Sequence, residues 1–344
     1  MYDYFMKIQE IINSLTLKQK LNQLFISGFE GDSPEKCHLF KKILEEGLGG
    51  VIFFTQNIKT EEQFKNIINE IKKNSLIPPF LSLDQEGGRV ERTENIHGGK
   101  KYLSAKDSAL KGELFAKEQT EIIANELKSY GINMNFAPVL DVNTNSDNPV
   151  IGNRAFSNNT DEVIRYSTIA INSYLGKKII PVAKHFPGHG AASVDSHLDM
   201  PVIDIAFEEL ENIHIKPFKE AIENKIPAIM IAHVHYPAFD KEKIPSSVSK
   251  NIINTYLIKK LGFKGLIITD DMVMGGIKEF SSLEACIRAI NAGINMFIFR
   301  DTDKNLINLI EKLENAAKNN IIDIRLIDNS LNKILTLKKE FNIL

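Results

Sequence analysis

Residue types that do chemistry are concentrated in one segment, Lys184 to Met200, with the sequence KHFPGHGAASVDSHLDM. The segment holds three histidines and two aspartates, and it directly follows the apolar run Ile179–Ala183. The apolar run predicts a buried β-strand, and the Gly and Pro residues after it predict a loop. Titratable side chains in a loop at the end of a buried parallel strand are typical of a catalytic face. We therefore expect acid–base or nucleophilic chemistry in this loop.

Titratable and polar residues also lie at the C-terminal ends of other short apolar runs. The number and order of these apolar runs predict the fold. Helix-like segments separate them, for example the segment in which Phe64, Ile67, Ile68 and Ile71 share one face. Alternating strands and helices predict right-handed βαβ units and a parallel sheet. Eight strands fit a closed (β/α)₈ TIM barrel, which typically needs about 250 residues. The predicted strands lie near residues 24–29, 50–54, 80–84, 134–141, 181–186, 228–234, 265–271 and 296–299.

We predict a single α/β domain over residues 1–344, with the barrel core at about 15–320 and a C-terminal packing helix at about 323–344. An open doubly wound sheet is the alternative fold. However, the sequence has no G-x-G-x-x-G after a predicted strand and no G-x-x-x-x-G-K-[ST] loop. The motifs of nucleotide-binding sheets are therefore missing from the sequence.

Composition favours a water-soluble enzyme with a large core. Hydrophobic residues make up 43% of the 344 residues and the formal net charge is -2, so electrostatics predicts no nucleic-acid or membrane partner. The two cysteines, Cys37 and Cys286, are expected to be free thiols in a reducing compartment. Charged residues interrupt the first apolar residues, which is untypical of a signal peptide. We expect a cytoplasmic monomer.

Four longer motifs give the sequence a resemblance to a known family. The sequences of these motifs and their order along the chain resemble the signature motifs of glycoside hydrolase family 3, and specifically its bacterial β-N-acetylglucosaminidases (β-N-acetylhexosaminidases). The resemblance runs from about Leu15 to Phe299. It implies a retaining exo-enzyme that removes terminal GlcNAc from peptidoglycan fragments, in the manner of single-domain members that recycle muropeptides. No cofactor or metal is expected, because the sequence offers no metal-ligand set and no phosphate-binding loop. The motifs are LDQEGGRVER (Leu83–Arg92), NFAPVLDVNTNSDNPVIGNRAF (Asn135–Phe156), KHFPGHG with DSH (Lys184–His197) and IITDDM (Ile267–Met272).

The resemblance also implies the catalytic roles. Asp270 is the expected nucleophile, and its neighbour Asp271 is expected to face elsewhere, because adjacent strand residues point to opposite sides. His197 is the expected acid/base, and Asp195 is expected to orient its ring and to stabilise the imidazolium. A neutral imidazole formed in the first step then serves as the base that activates water.

The remaining polar residues of the motifs are expected to surround the sugar. Glu86 is expected to pair with Arg89 across the Gly87–Gly88 turn, and His189 is expected to fix the turn before it rather than to react. The residues that resemble the family's substrate-binding set are Asp84, Arg92, Arg154, Lys184 and His185.

Other functions remain open on the sequence alone. His233 and His235 form an H-x-H pair that a metal-dependent barrel hydrolase could use, although barrel amidohydrolases carry this pair on the first strand rather than the sixth. A phosphorylase of the same family is a closer alternative, because a histidine acid/base repels an incoming phosphate less than a carboxylate does. A sugar-binding protein without activity is disfavoured because Asp195, His197 and Asp270 are all present.

Overall fold

Eight parallel strands form a closed barrel. The structure is a computed structural model that describes residues 2–196 and 199–344. Strands pair in chain order and the eighth pairs with the first, so the predicted (β/α)₈ fold is confirmed. The strands are β1 (Phe25–Ser27), β2 (Gly50–Phe53), β3 (Phe80–Leu83), β4 (Met134–Asn135), β5 (Ile180–Phe186), β6 (Ala228–Ile231), β7 (Leu266–Asp271) and β8 (Met296–Phe299).

The strands are short and almost wholly buried. All residues of β2, β3, β5, β6 and β8 are buried. A parallel barrel covers both faces of its sheet, because side chains fill the interior and helices pack outside. This is why continuous apolar runs, rather than alternating patterns, predicted these strands.

The fourth strand is shorter than its predicted range of residues 134–141. Only Met134 and Asn135 form a strand, although the chain beyond them still follows β5. Leu140 N donates to Lys184 O at 2.7 Å, for instance. Pro138 lies between these points and has no N–H to donate, so a regular ladder cannot continue through it.

Helices lie between successive strands and bury one face each. Helix α4 (Glu61–Asn74) buries Phe64, Ile67, Ile68 and Ile71, the four residues that share one face in the sequence pattern. Full burial of such a side chain contributes about 1.5–3 kcal/mol. Thr60 caps this helix by accepting a hydrogen bond from Gln63 N at 3.2 Å.

The α-helices are α1 (Tyr2–Ser14), α2 (Leu17–Asn22), α3 (His38–Glu45), α4 (Glu61–Asn74), α5 (Ala105–Leu110), α6 (Glu113–Tyr130), α7 (Thr160–Gly176), α8 (Phe207–Glu209), α9 (Lys216–Glu223), α10 (Ser282–Ala292), α11 (Lys304–Lys318) and α12 (Ile324–Glu340). Two π-helical segments, Leu210–Ile215 and Asn251–Lys260, precede α9 and β7 respectively. Within the described chain, the helices are too short or too polar to cross a membrane.

Helix α12 closes the barrel at the N-terminal ends of the strands. Ser330 on α12 contacts Asn295, which precedes β8, through a hydrogen bond of 3.0 Å from Asn295 Nδ2 to Ser330 Oγ. Lys338 is completely buried, donates to Gln23 Oε1 at 2.9 Å and lies 5.2 Å from the centre of the Phe80 ring. Burial lowers the pKa of Lys338 to about 7. The opposite end of the barrel carries the polar residues.

Candidate active site

A cavity of about 170 Å³ lies at the C-terminal ends of the strands. Six of the predicted site residues line it together: Asp84, Arg92, Arg154, Lys184, His185 and Asp270. The other polar side chains in its wall are His189, Ser196, Asp271 and Arg300, and the apolar part is formed by Ile52, Phe54, Val90, Phe136, Val150, Met230, Met274 and Ile298. A cavity this small suits a ligand the size of one sugar ring rather than a polymer.

Lys184 is held between two carboxylates from the segment after β3. Its Nζ lies 2.7 Å from Asp84 Oδ1 and 2.6 Å from Glu86 Oε1. Only 2% of the Lys184 side chain is exposed, against 20% for Asp84. Buried ammonium and carboxylate groups need such partners because each loses its hydration. The geometry leaves Asp84 as the more accessible carboxylate facing the cavity.

Glu86 also binds Arg154 through two parallel hydrogen bonds. Arg154 Nε lies 2.9 Å from Glu86 Oε2, and a terminal nitrogen lies 2.8 Å from Oε1. Burial by itself raises the pKa of Glu86, but the charges of Arg154 and Lys184 outweigh it and hold that pKa well below its usual range. Glu86 therefore stays ionised and orients both cations, and the expected pairing with Arg89 is wrong. Arg89 instead donates to the backbone carbonyl of Val150.

His185 is fixed by a carboxylate from the segment after β4. Asp141 Oδ2 lies 2.7 Å from His185 Nδ1, and Asp141 Oδ1 accepts from the backbone N of His189 at 2.6 Å. Burial is the largest single influence and raises the pKa of Asp141, but His185 and His189 together, through charge and hydrogen bonds, bring that pKa below its usual value. Asp141 thus remains an acceptor that sets the orientation of the His185 ring.

Asp270 lies at the end of β7 and is held in its charged form. Burial alone raises the pKa of this carboxyl, but the charges of His185, His233 and Lys184 and the hydrogen bond from Asp271 N bring it below its usual value. That hydrogen bond measures 2.8 Å to Asp270 Oδ1. An ionised carboxylate at the cavity wall is what a nucleophile of this type requires.

Asp271 lines the same cavity, so the expectation that it faces elsewhere is wrong. The register between β7 and β8 shifts between Ile268 and Asp271, which interrupts the strict alternation of side chains. Arg300 Nε donates to Asp271 Oδ2 at 2.9 Å. Burial raises the pKa of Asp271 despite this contact. The two neighbouring aspartates therefore have pKa shifts in opposite directions.

The segment that carries the predicted acid/base is described only up to Ser196. His197 itself lies outside the described residues, while Asp195 is described but is not part of the cavity wall. Ser196 lines the cavity, and its carbonyl accepts from Gly276 N at 2.9 Å. His189 Nε2 lies 3.1 Å from Ser196 Oγ, and burial lowers the pKa of His189 to about 4. His189 is therefore a neutral, buried side chain that lines the cavity and contacts this segment at Ser196.

The H-x-H pair lies beyond β6, and its ring nitrogens contact protein groups. His233 Nδ1 lies 2.7 Å from Ser247 Oγ, and its Nε2 lies 3.2 Å from the carbonyl oxygen of Asp271. His235 Nδ1 lies 3.1 Å from the carbonyl oxygen of Ile244. Within residues 2–196 and 199–344, no three His, Cys, Asp or Glu side chains are grouped so that they could hold a metal ion.

The sequence placed three further residues near the barrel mouth but did not predict that they take part in the site. Glu86, Asp141 and Arg300 each touch a predicted site residue or line the cavity. Their position was a usable signal, since Asp141 ends the predicted strand at 134–141 and Arg300 directly follows the predicted strand at 296–299. Their partners could not be predicted, because these contacts join segments far apart in the chain.

The chain matches one family model and is similar to proteins named β-hexosaminidase. Residues 16–337 match the model of the glycosyl hydrolase family 3 N terminal domain. The β-hexosaminidase A of Pseudoalteromonas piscicida is 31% identical over 337 residues, which cover 89% of this chain and 55% of that protein. The β-hexosaminidase of Haemophilus influenzae (strain Rd) is 33% identical over 276 residues, which cover 78% of this chain and 76% of that protein.

A solved structure is also similar over almost the whole chain. It is a glycoside hydrolase family 3 β-N-acetylglucosaminidase from Paenibacillus sp. strain FPU-7, with a TM-score of 0.90 and 34% sequence identity. The alignment covers 96% of this chain and 63% of that one. The chain thus spans about 55% of the Pseudoalteromonas relative and 63% of the Paenibacillus relative.

Proposed function

Because this chain belongs to glycosyl hydrolase family 3, we propose that it is an exo-acting β-N-acetylglucosaminidase that retains anomeric configuration. The observation that carries the proposal is Asp270, an ionised carboxylate in a cavity lined by Asp84, Arg92 and Lys184. The names of the similar proteins, β-hexosaminidase and β-N-acetylglucosaminidase, support the same substrate class.

The reaction proceeds in two displacements. Asp270 attacks the anomeric carbon and the bond to the leaving oxygen breaks, which leaves a covalent glycosyl–enzyme. His197 donates a proton to the leaving oxygen, with Asp195 stabilising its charged form. The neutral His197 then takes a proton from water, which attacks the anomeric carbon and releases Asp270. The role of His197 rests on the DSH motif and on Ser196, its neighbour, in the cavity wall.

The sugar is bound by charge-assisted hydrogen bonds. Asp84 accepts from ring hydroxyls, while Arg92, Arg154 and Lys184 donate to hydroxyl and acetamido oxygens. Glu86 holds Lys184 and Arg154 in place before the sugar arrives, so little side-chain entropy is lost on binding. The small cavity supports release of one terminal residue at a time.

We propose peptidoglycan fragments as the natural substrate and the cytoplasm as the location. The substrate rests on the resemblance to muropeptide-recycling enzymes. The location is supported by Cys37 and Cys286, which are both free thiols in the structure, as expected in a reducing compartment. A monomeric state and a single catalytic domain over residues 1–344 stay predictions of the sequence.

Two aryl glycosides test the proposed activity. The purified chain is incubated with 4-nitrophenyl β-N-acetylglucosaminide and with the matching β-glucoside. A site whose polar groups bind the acetamido group leaves those groups without a partner when a glucoside binds. We therefore expect kcat/KM to be about a hundredfold higher for the acetamido sugar than for the glucoside. Equal rates, or faster cleavage of the glucoside, contradict the proposal. Parallel reactions with inorganic phosphate distinguish a phosphorylase, which forms sugar 1-phosphate instead of free GlcNAc.

A further inference from the structure

One aromatic ring in the wall of the cavity contacts two arginines. Phe54 directly follows β2 and lines the cavity together with Arg92 and Arg300. The guanidinium carbon of Arg92 lies 5.9 Å from the centre of the Phe54 ring, and that of Arg300 lies 5.7 Å from the same point. The negative face of an aromatic ring attracts cations over such distances. The Phe54 ring therefore stabilises two positive charges in one cavity wall.

The two arginines differ in their other contacts. Arg300 Nε donates to Asp271 Oδ2 at 2.9 Å, so a carboxylate orients the Arg300 guanidinium. Arg92 Nε is buried, yet it makes no hydrogen bond to any residue that the structure describes. Among the described residues, the attraction to the Phe54 ring is therefore the interaction that orients the charged end of Arg92.

Hydrogen bonds fix the backbone on both sides of this contact. Phe54 N donates to Asn57 Oδ1 at 2.8 Å, and Arg92 N donates to Gln85 Oε1 at 2.7 Å. Asn57 and Gln85 are both completely buried, so neither acceptor is free to move with solvent. Since the two backbones are fixed, the remaining freedom is in the rotamers of the Arg92 side chain, which the ring restricts.

A guanidinium that is oriented before the sugar arrives favours binding. A free arginine side chain has many rotamers, and it loses this freedom when it donates to a ligand. Lys184 and Arg154 have lost it already, because Glu86 holds both. For Arg92, whose Nε is unpaired among the described residues, the Phe54 ring provides the corresponding restraint.

We propose that Phe54 is a positioning residue, whose ring face holds the Arg92 guanidinium in the direction in which it donates to the sugar. This inference rests on the proposed function, in which Arg92 binds the terminal sugar. Arg92 binds that sugar in the ground state and in the transition state alike. Loss of the ring face therefore raises KM and leaves kcat nearly unchanged.

Fluorination of the ring tests its electronic role while its shape is retained. Phe54 is replaced in the full chain by 4-fluoro-, 3,5-difluoro- and 3,4,5-trifluorophenylalanine. Each fluorine withdraws electron density from the ring face and so weakens its attraction for a cation. We expect KM for 4-nitrophenyl β-N-acetylglucosaminide to rise stepwise along this series, by about threefold in total, and kcat to stay within about twofold. A KM that is the same in all three fluorinated chains overturns the inference.

Double substitutions identify the residue through which the ring acts. Phe54→Leu alone should raise KM by about five- to thirtyfold. In an Arg92→Gln chain the same change should raise KM by less than about twofold, because the residue that the ring positions is already removed. In an Arg300→Gln chain Phe54→Leu should keep its full effect.

The opposite results overturn the inference. If the Phe54 ring contacts the sugar directly, Phe54→Leu keeps its full effect in the Arg92→Gln chain. If the ring acts through Arg300, the effect disappears in the Arg300→Gln chain instead. The fluorinated chains keep the volume of the ring, so they answer the question even if Phe54→Leu lowers stability.

A second arginine–phenylalanine contact is the matched control. The guanidinium carbon of Arg288 lies 5.0 Å from the centre of the Phe280 ring, and neither residue lines the cavity. Phe280→Leu should therefore leave KM and kcat unchanged. If it raises KM as much as Phe54→Leu does, the effect is not specific to the cavity and the inference is overturned. If the native chain does not cleave the aryl β-N-acetylglucosaminide, the proposed function itself fails, and the inference fails with it.

Discussion

Lys184 Nζ lies 2.6 Å from Glu86 Oε1, and 5% or less of either side chain is exposed. Each ion alone would be costly at this depth, so the pair is stable only as long as both members are present. Glu86 therefore connects the stability of the barrel mouth with the geometry of the proposed sugar site, although it is not itself part of the cavity wall.

Glu86→Gln should lower both stability and activity. The substitution leaves Lys184 and Arg154 without their shared carboxylate, and removing one member of a buried pair costs about 3–5 kcal/mol. We expect a loss of this order in the free energy of unfolding, measured with urea at pH 7, and a raised KM. Since the pKa of Glu86 is lowered in the folded state, the loss should shrink as pH falls below about 4.5.

The control for this prediction is an exposed pair. Glu279 lies 3.4 Å from Lys243 with about half of each side chain exposed, so Glu279→Gln should change stability by less than about 1 kcal/mol. Equal losses in the two variants would show that burial of the Glu86 pair has no special effect.

Asp270 and Asp271 should respond very differently to substitution. Asp270→Ala removes the proposed nucleophile, and we expect kcat to fall by about 10⁴-fold or more for every substrate, whatever its leaving group. Asp271→Asn retains an acceptor for Arg300, and we expect a loss of less than about a hundredfold. Steady-state kinetics on one aryl and one disaccharide substrate measure both effects. A larger loss in the Asp271 variant would reassign the nucleophile.

His197→Ala should discriminate between leaving groups. Proton donation contributes about 10²- to 10⁴-fold, and a nitrophenol leaves as its anion without needing it. We expect the variant to keep appreciable reaction with nitrophenyl substrate but to lose nearly all cleavage of a natural disaccharide. Glycosyl–enzyme should accumulate on the Ile267–Met272 peptide, detected as a mass increase, and azide should restore turnover as the β-glycosyl azide. Equal slowing of both substrates would refute this role.

Activity should survive removal of divalent metals. In the proposed mechanism, the nucleophile is a carboxylate and the water is activated by a histidine, so no metal-bound hydroxide is required. The ring nitrogens of His233 also contact Ser247 and the Asp271 carbonyl. Dialysis against a chelator, followed by the aryl substrate assay, measures this. Loss of activity that zinc restores would favour a metal-dependent hydrolase instead.

Lys338 should make stability depend on pH. Its pKa is lowered to about 7 in the folded chain, whereas an unfolded lysine titrates near 10.4. Between these values the unfolded chain binds the extra proton, so stability rises with pH by up to about 1.4 kcal/mol per unit. Lys338→Met removes this dependence. We expect its stability gain over the native chain to be largest below pH 7 and to shrink towards pH 10.

Urea unfolding at pH 6, 8 and 9.5 measures this difference. Lys128→Met, which changes an exposed lysine on α6, is the matched control and should show little pH-dependent difference from the native chain. A difference between Lys338→Met and the native chain that stays constant over these pH values would mean that Lys338 keeps its proton when buried.

The barrel and the position of its polar face could be predicted from the sequence because both depend on local patterns. Apolar runs that are buried on both sides mark the strands, and the spacing of Phe64, Ile67, Ile68 and Ile71 marks the buried face of α4. Parallel strands put their C-terminal ends on one face, so Asp84 and Asp270 could be placed at the same opening without coordinates.

Only the tertiary structure decided which side chains are partners. Glu86 binds Arg154 across 68 positions of the chain, rather than Arg89 three residues away, because closure of the barrel brings the ends of β3 and β4 together. Asp271 faces the cavity because the register of β7 shifts, which periodicity does not reveal. Lys338 is buried because α12 lies against the barrel end at Gln23, whereas a lysine in an amphipathic helix ordinarily predicts an exposed position.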